Sequence, residues 1–106
     1  MAQAVLRLDA LPDSPLDAAA EFHETWLAQA RAALEGADAL ALVFPAAPHP
    51  HHAWRLAAVQ ELAREVAPAR VNGVEGGGDG ETAAVLSWLD GAPGITGQLL
   101  AAAQGR

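Results

Sequence analysis

Cysteine and tyrosine are both absent from this chain. Without cysteine there can be no disulfide, no thiolate nucleophile and no cysteine zinc site. Without tyrosine no phenol is available to give or take a proton. Basic residues are scarce: 6 Lys and Arg stand against 13 Asp and Glu, a formal charge of −7. Nucleic acid and anionic membrane call for a basic patch that displaces counterions, so neither is an expected partner. No basic-then-apolar segment precedes the first predicted strand, and no apolar run reaches the roughly 18 residues of a membrane span. A soluble, cytoplasmic protein is the expectation. Bulky side chains are few as well. Much of the 52% hydrophobic content is alanine, so the large core groups must come from Phe22, Phe44, Trp26, Trp54 and Trp88 with the Leu, Ile and Val set. A chain of 106 residues suits one small domain over 1–106.

The patterning that is present alternates between two periods. Ala4, Leu6, Leu8 and Ala10 alternate with Arg7 and Asp9, which predicts a strand over 4–11 with one solvated face. Ser14–Pro15–Leu16–Asp17 supplies a capping serine, a proline at the first helical position and an early acid. The helix begun there carries Ala19, Phe22, Trp26, Ala30 and Ala33 at helical spacing and is stopped by Gly36. Ala39 to Phe44 is uninterrupted apolar sequence, as in a parallel strand covered on both faces. A proline-rich loop over 45–50 leads to a second helix over 51–67 with the stripe Trp54, Ala58, Leu62 and Val66. Residues 69–74 predict a third strand, Asp79 a cap for a short helix ending at Gly91, and residues 98–102 a fourth strand. The β-α-β-α-β-α-β order predicts an α/β fold: a four-stranded parallel sheet in the order 1-2-3-4 with three crossover helices. No internal repeat or low-complexity linker interrupts it.

Two segments carry a resemblance. Glu65–Val66–Ala67–Pro68–Ala69–Arg70–Val71–Asn72–Gly73–Val74 and Ile95–Thr96–Gly97–Gln98–Leu99–Leu100 resemble the closing third of the short-chain dehydrogenase/reductases. Those Rossmann-fold, nicotinamide-dependent oxidoreductases carry "ELAP…RVN-V-PG" and later "TGQ". The resemblance implies a truncated Rossmann-like domain corresponding to that family's last four strands. Its catalytic residues do not carry over. Counting back from Glu65, the family's lysine falls at His52 and its tyrosine near Pro48. Neither residue can do the proton transfer those two perform together. Phe44–Pro45–Ala46–Ala47 offers no hydroxyl where the family has a serine, Glu75–Gly76 replaces its Pro–Gly, and no glycine-rich cofactor turn opens the chain. The expectation is therefore no catalytic residue, no cofactor-binding residue and no cofactor.

His49, His51 and His52 are the metal candidates, because imidazoles bind Zn²⁺ or Ni²⁺. Neighbouring residues at a helix start point apart and no nearby carboxylate completes a ligand set, so a solvated histidine-rich loop is expected and no metal site is assigned. The loop Glu75–Gly76–Gly77–Gly78–Asp79–Gly80–Glu81 comes after a strand and opens a helix, a setting that binds phosphate elsewhere. Here its acids repel an anion, which leaves a flexible connection. In the family, helices matching 15–36 and 51–67 build the main subunit interface, which makes Phe22, Trp26, Trp54, Ala58 and Leu62 interface candidates. The functional expectation is a non-catalytic structural or interaction module that forms a homo-oligomer, with a dimer favoured, or pairs with a full-length short-chain reductase. The alternatives are a small-ligand binder at the carboxyl ends of the strands, near Phe44–Pro48 and Glu75–Asp79, and an NAD(P)-linked role held only within a hetero-complex.

Overall fold

A computed structural model describes residues 3–102. Strands β1 (Ala4–Arg7), β2 (Ala39–Phe44), β3 (Arg70–Glu75) and β4 (Leu99–Ala101) form one sheet in the order β1-β2-β3-β4. Every neighbouring pair is parallel. The expected α/β architecture and strand order are therefore those of the folded chain.

The first connection is one long helical rod made of α1 (Pro15–Glu21), a π-helical segment (Phe22–Trp26) and α2 (Leu27–Leu34). Its start is built as the sequence predicts, with Pro15 in the first turn and Ser14 Oγ accepting from the Asp17 N–H at 3.3 Å. Its end is marked by Gly36, whose φ of 79° suits a residue without Cβ. The regular helix expected here is interrupted by the π segment, a widened turn that rotates the faces of α2 about the rod axis relative to those of α1. Ala18 and Phe22 before Ala30 are all buried across it.

Alternation on the strands divides the core in two. Leu40, Leu42 and Phe44 of β2 and Val71 of β3 face the rod and α3 (His52–Val66), packing with Phe22, Ala58, Val59 and Leu62. On the other face Val74 and Leu100 pack against Leu89, Val85 and Leu86 of α4 (Asp79–Asp90). Helices thus cover both faces, in three layers. Because β4 continues the strand order in the same direction while α4 lies on the opposite face, this crossover has the opposite hand to the two before it. The return segment between α4 and β4, residues 91–98, is fastened to the start of β3, where Arg70 Nη1 donates to the carbonyls of Ala92 at 3.0 Å and Ile95 at 3.1 Å. Gly73 makes the close packing of this central region possible: a Cβ there would lie 2.8 Å from Leu99 and 3.0 Å from Val59.

Several boundaries differ from expectation; β3 runs Arg70–Glu75, one residue later than expected at each end. β1 ends at Arg7 and Ala10 is exposed, not core-facing. Leu8 still donates to the Val43 carbonyl at 2.9 Å, but the next rung would need an N–H from residue 45, which is proline. Asp79 is the first residue of α4 and not its cap; Gly78 caps, its N–H held by Glu81 Oε1 at 3.0 Å. The last strand begins at Leu99, not Gln98.

Candidate binding cleft

The carboxyl ends of β2 and β3 open into two loops that cannot extend a ladder. Pro45, Pro48 and Pro50 come after β2, and a single 3₁₀ turn over His49–His51 leads into α3. Gly76 and Gly77 come after β3 with φ of 75° and 79°, and a Cβ on Gly77 would meet that of Ala102 at 2.5 Å. Between them lies a cleft of about 280 Å³ lined by Ala46, Ala47, Glu75, Gly76 and Ala101.

The side chain that organises this region is Arg55, buried at 1% exposure in the first part of α3. Its Nη1 donates to the Pro45 carbonyl and to Glu75 Oε2, both at 2.9 Å. Its guanidinium carbon lies 4.9 Å from the centroid of Phe44 and 5.8 Å from that of Trp54. One arginine thereby ties the loop after β2 to the end of β3. The Arg55–Glu75 pair is absent from the sequence-based expectations. The buried stripe of α3 is Arg55, Ala58, Val59 and Leu62, so an arginine in line with apolar residues at i+4 and i+7 was the available signal.

The three histidines part company. His51 is buried at 4% exposure, against the expectation of a solvated loop. The Trp54 Nε1–H donates to its Nδ1 at 3.2 Å, so its proton sits on Nε2, which donates to the Asp13 carbonyl at 2.9 Å. Both ring nitrogens are thus occupied by structure. His52 Nδ1 reaches Glu75 Oε1 at 3.4 Å, so a carboxylate does stand near the cluster, contrary to the expectation. His49 stacks on His52 with ring centroids 5.9 Å apart. Among the described residues no three His, Cys, Asp or Glu side chains come together as a metal site.

The five interface candidates sit close together. Phe22, Ala58 and Leu62 are buried in the main core, and Trp26 and Trp54 are partly buried against it. Phe22, Ala58 and Leu62 also line, with Leu27, a groove of about 390 Å³ between the helical rod and α3. Charged groups rim it: Arg31 makes two hydrogen bonds of 2.7 Å to Glu65, and Arg64 pairs with Glu61 at 2.6 Å. The hydrogen bond from Arg31 holds the Glu65 carboxyl below the usual glutamate range and raises Arg31 in turn.

The two segments that carried the resemblance meet at the opposite end of the sheet. Val71 N–H donates to Thr96 Oγ1 at 3.1 Å, and Gly97 N–H to the Val71 carbonyl at 2.7 Å. Asn72 is buried and doubly held, its Nδ2 on the Ile95 carbonyl at 3.0 Å and its Oδ1 accepting from Gln98 N–H at 3.1 Å. Over residues 6–102 the chain matches the family described as short chain dehydrogenase-like protein, SDR-like. The chain belongs to the SDR-like family. Neither the curated proteins nor the solved structures gave a match.

Against a nicotinamide cofactor, the cleft of this SDR-like chain is a poor fit. His52 is directed at Glu75, and the one ionisable group lining the cleft, Glu75, is already paired with buried Arg55. The neighbouring loop adds the exposed acids Asp79 and Glu81, which oppose a pyrophosphate. No catalytic step is derived through that group.

Proposed function

We propose that this chain is a non-catalytic interaction module of the SDR-like family that self-associates through the groove between the helical rod and α3. The observation that carries the reading is the groove itself: half-buried Leu27, set over the core residues Phe22, Ala58 and Leu62, beneath a rim of both charge signs. An apolar centre within a polar rim is the anatomy of a protein interface. A mixed rim on one patch also suits isologous pairing, in which each copy offers the same surface to the other. The chemistry at the strand ends supports the non-catalytic half, since the chain has no tyrosine and the positions of the family's acid–base pair hold Pro48 and His52.

The test is native mass by size-exclusion chromatography with light scattering over a concentration series, for the wild type and Leu27→Glu. Leu27 is only partly buried, so circular dichroism can verify that the variant folds. The expected result is an oligomer whose mass falls in Leu27→Glu. A wild type that stays monomeric, or a folded Leu27→Glu of unchanged mass, overturns the groove as the interface. Saturable NADPH binding with turnover overturns the non-catalytic half, and tryptophan fluorescence reads the binding directly. A second reading rests on the 280 Å³ cleft, which has room for a small neutral metabolite; a thermal shift with such a compound supports it.

A further inference from the structure

We propose that the open edge of β1 is a second self-recognition surface, pairing antiparallel with β1 of another copy in the register that sets Arg7 opposite its Asp9. This goes beyond the groove and does not depend on it.

In a parallel pair, a residue bonded to the neighbouring strand sends both its N–H and its C=O toward it, and the next residue sends both away. Leu8 bonds to Val43, so Leu8, Leu6 and Ala4 spend their backbone groups on β2. Val5, Arg7 and Asp9 therefore turn theirs to the open side. The run has a defined start, because the Gln3 N–H is taken by Asp90 Oδ1 at 3.1 Å. No turn or bend interrupts the chain between the end of β1 at Arg7 and residue 13. Such an edge is a template for another strand unless something guards it.

The guards here are Arg7 and Asp9, both exposed and with no ion-pair partner among the described residues. A row of like charges repels every incoming strand, including its own copy. A positive and a negative charge two residues apart do the opposite in one antiparallel register. Outward-facing residues must meet outward-facing residues, which allows Arg7 to sit opposite Arg7, Val5 or Asp9 of the second copy. The first repels and the second leaves both charges unmatched. The third makes two opposite-charge pairs related by the two-fold axis, with Leu8 opposite Leu8 at the centre. Val5, apolar and 43% exposed, lies beside this centre. Pairing β1 with β4 of another copy instead would be head-to-tail and open-ended, and Leu99–Ala101 offers no charge to match. The overall charge of −7 opposes association, but screening over about 8 Å at physiological salt confines that repulsion, while the pairs act at contact.

Charge exchange tests the register. In the Leu27→Glu background, which removes the groove, the expected species is a dimer. Adding Arg7→Asp or Asp9→Arg sets like charges opposite each other and weakens the dimer about tenfold or more. Combining both exchanges recreates opposite pairs and restores it. Exposed side chains keep all three variants folded, with circular dichroism as the check. A Leu27→Glu protein that is monomeric throughout, single exchanges of unchanged mass, or a double exchange that fails to restore the dimer each overturns the proposal. A mass that climbs without limit points to β1–β4 stacking and overturns it as well. If Leu27→Glu has no effect, the groove fails while the same exchanges, made in the wild type, still decide the edge.

Discussion

The two ends of the sheet treat the family's signature residues in opposite ways. At the amino ends of β3 and β4, Arg70, Asn72, Thr96 and Gln98 hold one another and the return segment in place. At the carboxyl ends, Arg55 ties the proline-rich loop after β2 to Glu75 at the end of β3. A sequence signature can thus report architecture faithfully and say nothing of activity.

Perturbing each end separately tests that contrast. The largest effect is expected at the carboxyl end. Arg55→Ala removes one member of a largely buried pair and the ring contacts of Phe44 and Trp54, a loss of about 3 kcal/mol in urea unfolding. Arg55→Met keeps the volume between the rings and recovers part of it. A cost under about 1 kcal/mol would mean that the ion pair does not organise this end. At the amino end, Asn72→Ala strands the Gln98 N–H, leaves the Ile95 carbonyl with only its Arg70 donor, and is expected to cost about 2 kcal/mol. Combined with Thr96→Ala the losses should fall short of additive, since both belong to one network; strict additivity would dissolve the idea of a single lock. The smallest effect lies outside both ends, at Arg31–Glu65. Glu65 titrates lower in the folded chain than in the unfolded one. Its contribution is therefore full above the unfolded glutamate value and disappears as pH falls through the lowered folded value. Glu65→Gln should lower stability slightly at neutral pH and converge with the wild type in acid. A difference that grows on acidification contradicts that sign.

Much of the fold could be read from local pattern. β2 was legible to the residue, because a six-residue apolar run with a proline behind it leaves little choice. Ser14–Pro15 and Gly36 bounded the rod for equally local reasons. The features that escaped depended on neighbours far along the chain. The end of β1 is decided by Pro45, just past the end of the neighbouring strand, the burial of His51 by Asp13 and Trp54, and the pairing of Arg55 by Glu75 twenty residues on. The placement of α4 across the opposite face escaped too, since the usual right-handed crossover would set it on the same face as the other helices. The π segment has no signature in hydrophobic spacing, which reports which face is buried but not how many residues each turn holds.

The fastening of Gln3 to the far end of α4 sets the order of events during synthesis. Its backbone N–H reaches Asp90 and its side-chain amide the Leu86 carbonyl, contacts that span 87 and 83 residues. β1 is thus completed by a helix synthesised more than eighty residues after it. Such distant closure slows folding, because the loop must be gathered before the contact rewards it. It also denies the growing chain a finished half-domain. Until residue 90 has emerged, β1 waits with its start unfastened.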